Sequence, residues 1–533
     1  MPTFIECKMI NGIAKKSRNP FNLIFNALTN RQRATVGRKT QKKRNFRPTV
    51  AVFWNKFRTF ASMEKIIGRE EEFEKLSKYM KSEKGEFVAV YGRRRVGKTF
   101  LVRQYFKNKF DFYVTGIIDG TRDEQMTVFN DALAAYGYKG DRAKTWMEAF
   151  GCLAALLKSK HKVSRRLTVF IDELPCFDTP NARFIQALSH FWNSCASWID
   201  NIFFVVCGSA TSWMIKNVID NHGGLHNRIT HEIHLRPFDL RETETYLRSR
   251  GMRWNRLSVI QAYMALGGIP YYLGMLDRTM SVAENIDMLF FSDDAELRGE
   301  YTRLFKSLFK EPDNYIALVN VLADCKQGMT RKEIASLPQF KDNGHLSEML
   351  ENLVNCDFLR LYGNGTKQNC GIYQLTDFYT LFYNRFCRRR TTDDHYWRNH
   401  IDTTATNNWH GLAYERVCMH HFRNIIRALR LDTIHTEFYS WRSRREASGA
   451  QIDMVIDRSD NVINVCEVKY SKGDFLLTKT EYQKMVNRIG ALSSEVRERK
   501  AIQPILITTF GLKPGEYADL FQRILTMDDL FDA

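Results

Sequence analysis

The chain has 533 residues, 44% of them apolar and 13% aromatic, with a formal net charge of +19; it is too long for one ordinary domain of about 100–200 residues, and its composition excludes a wholly disordered polymer. The charge is uneven: residues 1–62 hold fourteen Lys and Arg against Glu6 alone, and +19 less this +13 leaves only +6 for the other 471 residues, so basicity by itself does not make the folded part a nucleic-acid binder. No apolar run reaches the roughly 18 residues of a membrane span, and eleven cysteines without a Cys-x-x-Cys pair point to a reducing cytoplasm with no structural zinc.

Residues 1–62 carry basic clusters, Arg38-Lys39 and Lys42-Lys43-Arg44, without a sustained apolar period. A basic nucleic-acid arm, an Arg-rich transit segment and a translated upstream stretch all fit. The expectation is a disordered extension, with patterned sequence opening at Met63.

Phe87-Val88-Ala89-Val90 predicts a buried strand. It runs into Gly92-Arg93-Arg94-Arg95-Val96-Gly97-Lys98-Thr99, the full spacing of a P-loop in its strand-to-helix context. Glycines let backbone amides curl around phosphates, the following helix adds its positive end, Lys98 reaches the β and γ phosphates, and Thr99 ligates magnesium. A basic surface turn is the competing reading, and the complete set of fixed positions speaks against it.

From 63 to 240 strands and helices alternate, as in a parallel sheet covered by helices. Phe112 to Thr115 reads as a strand, with helices near 123–136 and 145–158. Leu167 to Ile171 is a continuous apolar run ending in Asp172-Glu173. Acids at the C-terminal edge of a parallel strand lie in the crevice where such sheets bind ligands, so Asp172 pairs with a Thr99-bound magnesium and Glu173 polarises an attacking water. Ile202 to Cys207 is a further buried strand, followed by Gly208-Ser209-Ala210-Thr211. Ser209 or Thr211 either senses the γ-phosphate or caps the next helix. Ile229 to Leu235 reads as a fifth strand, preceded by Arg228.

The ordered motifs GRRRVGKT, VFIDELP, VVCGSATSWM, NRITHEIHLRPF and Gly267-Gly268-Ile269-Pro270-Tyr271-Tyr272 resemble those of the archaeal-type ATPases of prokaryotes, relatives of AAA+ and STAND ATPases. The resemblance covers about residues 63–300 and implies an ATP site. It also implies a role in trans for Arg228, at the place where AAA+ relatives carry an arginine that reaches a neighbour's γ-phosphate; an intramolecular ion pair is the alternative. No arginine accompanies the Gly-Gly-Ile-Pro segment, which departs from the AAA+ pattern.

Residues 241–312 suit a small helical lid. Between 313 and 395, helices over 315–325, 330–335 and 346–356 precede two strands, 358–362 and 371–375, which resembles a winged helix. Its third helix is acidic where phosphate contact calls for Lys or Arg, so packing against the ATPase competes with DNA reading.

From 396 to 533, Trp409 to Ile426 predicts a helix carrying Glu415, and a hairpin follows with Asp453 on one strand and Glu467-Val468-Lys469 on the other. A strand's period of two puts Glu467 and Lys469 on one face. Two carboxylates suit a hard cation beside a phosphate. This set resembles the PD-(D/E)XK nuclease fold, which implies catalytic roles for Glu415, Asp453, Glu467 and Lys469 and metal ligation by Asp453 and Glu467.

The expected fold class is therefore a multidomain α/β chain: a parallel-sheet P-loop ATPase with a helical lid, a winged helix and a restriction-endonuclease-like C-terminal domain. The expected cofactors are ATP and Mg2+. Expected partners are DNA, a second copy or a protein, with no membrane and a cytoplasmic setting. A nuclease under ATP control is the leading function; an ATP-operated switch or binding module with an inactive nuclease fold is the alternative.

Overall fold

The chain divides into two compact units, Met1–Lys65 and Ile66–Ala533. The computed structural model describes residues 66–162, 164–221, 223–363, 371–389, 391–443, 450–496 and 500–532, so the expectations for residues 1–62 lie outside the described residues.

Five parallel strands, β1 (Glu86–Tyr91), β2 (Phe112–Thr115), β3 (Leu167–Asp172), β4 (Ile202–Gly208) and β5 (His231–His234), stand in the order β2-β3-β4-β1-β5. Every residue of β1, β3 and β4 is buried, because both faces of the sheet are covered. Val88, Val90, Phe170, Phe203 and Val205 enter one core, and Phe87, Ala89, Val169, Ile171, Phe204 and Val206 enter the other. That alternation is the strand's period of two expressed on two apolar faces. The sheet's central strands end at Tyr91, Asp172 and Gly208, which places the three predicted nucleotide-site segments along one edge.

Beyond the sheet, helices occupy Leu240–Ser249, Arg256–Leu266 and Glu300–Leu308. Gly268 is required where it stands, since an added Cβ would lie 1.8 Å from Phe238 O. Helices Pro312–Asp324, Arg331–Ala335 and Gly344–Asn355 accompany a small antiparallel sheet, in which β6 (Met329–Thr330) comes between the first two helices and β7 (Leu359–Tyr362) and β8 (Ile372–Leu375) follow the third, in the order β6-β8-β7. Thr330 caps Arg331–Ala335 reciprocally with Glu333, as their spacing demands. The acidic helix Gly344–Asn355 lies against the ATPase core. Ser212 Oγ donates to Asn352 O at 3.4 Å, Lys216 Nζ is 4.0 Å from Glu348, and His234 Nε2 is 3.1 Å from Asp357.

The C-terminal part is a mixed sheet, β9 (Thr436–Arg442), β10 (Gln451–Arg458), β11 (Val462–Lys469), β12 (Ala501–Thr508) and β13 (Arg523–Leu525), ordered β13-β12-β11-β10-β9. Pairs β9–β10 and β10–β11 are antiparallel, β11–β12 and β12–β13 parallel. The parallel step needs a crossover, supplied by helix Lys479–Glu495. One continuous apolar core runs from Leu76 through the helical segment and β8 to Phe531, so these parts pack as one body.

The helix expected from Trp409 to Ile426 is two, Thr404–His420 and Phe422–Ala428. The break falls at His421, whose Nδ1 lies 2.8 Å from Val417 O while its Nε2 accepts a hydrogen bond from Leu240 N at 3.0 Å. Burial pulls this imidazole, and that of His410, down to about 4, so both fold as neutral groups. A folded value below the ordinary 6.5 gives stability that is present above pH ~6.5 and lost as pH falls through ~4, at most about 3 kcal/mol for each. A proton on Nε2 also meets the Leu240 N–H head-on. Melting temperature should fall between pH 6.5 and 4, and less in His421→Gln, which keeps an acceptor without gaining a charge; equal falls would remove His421 as a cause.

Candidate active site

Gly92 has φ of 141° and a Cβ there would lie 2.2 Å from Leu235 O, so only glycine lets the loop rest on the end of β5. Gly97, at φ of 94°, opens helix Lys98–Tyr105. Lys98 is buried, and its Nζ donates to Gly92 O at 2.8 Å and Arg93 O at 2.9 Å. An ammonium has three N–H groups, so one remains for a phosphate. Val96 is buried beneath the loop.

Thr99 Oγ1 donates to Asp172 Oδ1 at 3.1 Å. Burial first, and Glu173 second, push the Asp172 carboxyl above its ordinary value, against the pull of Thr99. A cation beside it relieves that cost, and a hydroxyl next to a carboxylate is a fitting donor set for magnesium. Glu173 stands in the left-handed region, φ 48° and ψ 50°, a conformation that side chains other than glycine adopt at a cost. Its Oε2 accepts from Ser209 N at 3.1 Å and Ser209 Oγ at 2.8 Å. Helix Thr211–Met214 starts after Ala210 without a side-chain cap, so the Ser209 hydroxyl serves Glu173 and caps nothing. Arg228 is exposed, and among the described residues it has no ion pair.

The edge therefore brings together the loop with Lys98, the Thr99–Asp172 pair and the Glu173–Ser209 pair. Residues 66–276 match the family described as an ATPase domain predominantly from Archaea. The chain carries a P-loop ATPase domain of that family. It is similar to an uncharacterized protein of Methanocaldococcus jannaschii, 26% identical over 326 residues, which are 60% of this chain and 68% of that one. It is also similar to an uncharacterized ATP-binding protein of the same organism, 42% identical over 44 residues, 8% of this chain and 75% of that one. Similar solved structures include a Walker-type ATPase of Pyrococcus abyssi (18% identity, TM-score 0.44, covering 61% of this chain and 97% of that one). Another is the ORC2 protein of Aeropyrum pernix in its ADP form (14% identity, TM-score 0.34, covering 64% of this chain and 96% of that one).

The ATPase domain's loop is held by side chains that spacing alone did not single out. Arg69, buried over the Phe238 ring, donates to Val96 O at 3.1 Å and Arg236 O at 2.8 Å. Arg93 is buried and paired with Asp377. Arg95 Nη2 is 2.8 Å from Glu300 Oε2, and its guanidinium lies 4.0 Å from the Tyr271 ring centroid. Arg94 is partly exposed, without an ion pair among the described residues. The only sequence signal for these contacts was Gly68-Arg69 opening the patterned region and the tyrosines after Pro270.

In the C-terminal sheet, Lys469 Nζ is 3.0 Å from Glu467 Oε1, and Arg488 Nη1 donates to Glu467 Oε2 at 2.9 Å. Asp453 sits where the β9–β10 register shifts, between Ile452 and Val455, and accepts from Gln451 Nε2 at 2.8 Å. Burial, then the charge of Asp453, push the Glu415 carboxyl above its ordinary value. Lys326 Nζ donates to Glu415 Oε1 at 3.0 Å, and Glu415 Oε2 is buried without a hydrogen-bond partner among the described residues. Glu467 is thus engaged by Lys469 and Arg488, while Glu415 feels the charge of Asp453. Among the described residues, no three His, Cys, Asp or Glu side chains gather to hold a metal ion, and no helix is long and apolar enough to cross a membrane.

Proposed function

We propose that the chain binds ATP with Mg2+, hydrolyses it, and uses the nucleotide state to govern how its lid, winged-helix-like and C-terminal parts sit on the core. The carrying observation is the alignment of Lys98, Thr99–Asp172 and Glu173–Ser209 along one sheet edge. The loop amides and Lys98 would bind the β and γ phosphates, Thr99 and Asp172 would hold the magnesium that screens their charge, and Glu173 would take the proton of the attacking water. Lys98→Ala should bind ATP at least about tenfold more weakly by calorimetric titration; unchanged affinity would remove the P-loop assignment. Arg228, free on the surface, is left to act on the nucleotide of a second copy, in which case activity per chain rises with protein concentration.

A metal-dependent, DNA-acting nuclease is a second reading of the C-terminal domain. What favours it is the helix–hairpin–helix–strand order of its mixed sheet and a half-buried Glu415, its Oε2 without a hydrogen-bond partner among the described residues, that feels the charge of Asp453. Oxygen donors from those two carboxylates, with Gln451 adjacent, suit a hard divalent cation. Glu467 is engaged by Lys469 and Arg488, which weighs toward the switch or binding-module reading, with DNA or a protein as partner.

A further inference from the structure

We infer that Asp377, backed by Glu300, is a positioning residue for ATP: it fixes the P-loop from outside the ATPase core and makes nucleotide affinity depend on the segment that follows β8. This rests on the ATPase reading above.

Arg93 lies in the loop that must wrap the phosphates, yet only 1% of its surface is exposed. Both its terminal nitrogens engage Asp377, Nη2 at 3.2 Å from Oδ1, across 284 residues of chain, and the guanidinium stacks 4.7 Å from the Phe358 ring centroid. A planar fork used in this way commits both terminal nitrogens to the carboxylate, and the remaining Nε is buried, without a hydrogen-bond partner among the described residues. Asp377 is itself fixed: its Oδ1 accepts from Thr380 N at 2.8 Å, capping helix Phe378–Phe382. Two residues on, Arg95 holds φ of 72°, a strained setting for a branched-free but bulky side chain. Glu300 keeps it there at 2.8 Å, and Glu300 is fixed in turn by Tyr272 OH at 3.2 Å.

A P-loop binds through backbone amides that must all point at the phosphates, so ordering a free loop subtracts from affinity. Anchoring Arg93 and Arg95 on two outside elements removes that freedom before the nucleotide arrives. Coupling is reciprocal: ATP strengthens the docking of the Asp377 segment, and whatever draws that segment away loosens ATP by the same factor.

The test uses the full chain with Asp377→Asn, Arg93→Gln and the double variant, measuring ATP affinity by calorimetry, KM and kcat, and melting temperature. Asparagine keeps the helix cap but strands the Arg93 charge, which lowers stability; the double variant strands nothing. Both singles and the double should bind ATP about tenfold more weakly, with KM raised and kcat within about twofold, while the double recovers melting temperature. If Asp377→Asn alone fails to fold, the double variant carries the test. Parental affinity in the double variant overturns the inference, since the loss would then belong to the stranded charge alone. Absence of ATP binding in the parent chain would remove the ATPase reading and this one with it; parental affinity in a folded Asp377→Asn removes only this one.

Discussion

Glu173→Gln should bind ATP with the parent's affinity and hydrolyse it about 10²–10⁴-fold more slowly. The amide keeps an oxygen for the Ser209 N–H and hydroxyl, which now hold the carboxylate at 3.1 and 2.8 Å, so the left-handed turn at Glu173 and the loop before Pro175 have no reason to move. What is lost is the proposed acceptor of the water's proton, and that loss appears only in the transition state. Lys98→Ala differs in kind, since its ammonium holds Gly92 O and Arg93 O besides its proposed contact with the phosphates, and its removal disturbs the ground state too. Single-turnover hydrolysis at saturating ATP separates the two. Undiminished hydrolysis in Glu173→Gln would take the carboxylate out of the mechanism and leave Ser209 as a purely structural partner.

The parts of the site that were legible in the sequence are those made by consecutive residues. Gly92 to Thr99 declares itself because one turn of backbone supplies the whole cradle, and Asp172-Glu173 because a buried strand that ends in acids has few other places to put them. Caps were legible for the same reason: Thr330 and Glu333 meet within one helical turn. Contacts that close over long loops left no local trace. Arg93 and Asp377 look like any surface arginine and any turn aspartate until the fold brings them together. The break at His421 depends on Leu240, 181 residues earlier, so a periodic apolar face carried the expected helix straight through it. Strands β9, β12 and β13 were not anticipated: β9 and β13 have partly exposed faces, and β12 begins with mixed residues, Ala501-Ile502-Gln503-Pro504, before its buried end.

That shared packing also bears on the acidic helix Gly344–Asn355. Ser212 donates to Asn352 O and Lys216 faces Glu348 at 4.0 Å, so this helix packs on the ATPase core. Ser212 follows Ser209 by three residues, so the element that holds Glu173 and the element that holds this helix are one short stretch of chain.

The last expected result concerns Glu415 and Asp453: manganese or magnesium should raise the melting temperature of the parent chain, and should fail to do so in Asp453→Asn or Glu415→Gln. A cation that binds only the folded state at about a hundred times its Kd adds about 2.7 kcal/mol. Burial and the charge of Asp453 raise the carboxyl of the half-buried Glu415, and a raised folded value means stability present below the ordinary carboxylate range and lost as pH rises through the folded one. Without metal, Glu415→Gln should accordingly melt higher than the parent at pH 8, and that gain should vanish toward pH 4, where the parent's carboxyl is neutral as well. Lys326→Ala frees Glu415 Oε1 and should tighten the metal response. A nuclease site would add magnesium-dependent DNA cleavage that fails on loss of Asp453, Glu415, Glu467 or Lys469. A metal-induced shift that survives both Asp453→Asn and Glu415→Gln would place the cation elsewhere, and the C-terminal sheet would then be left with the partner-binding role.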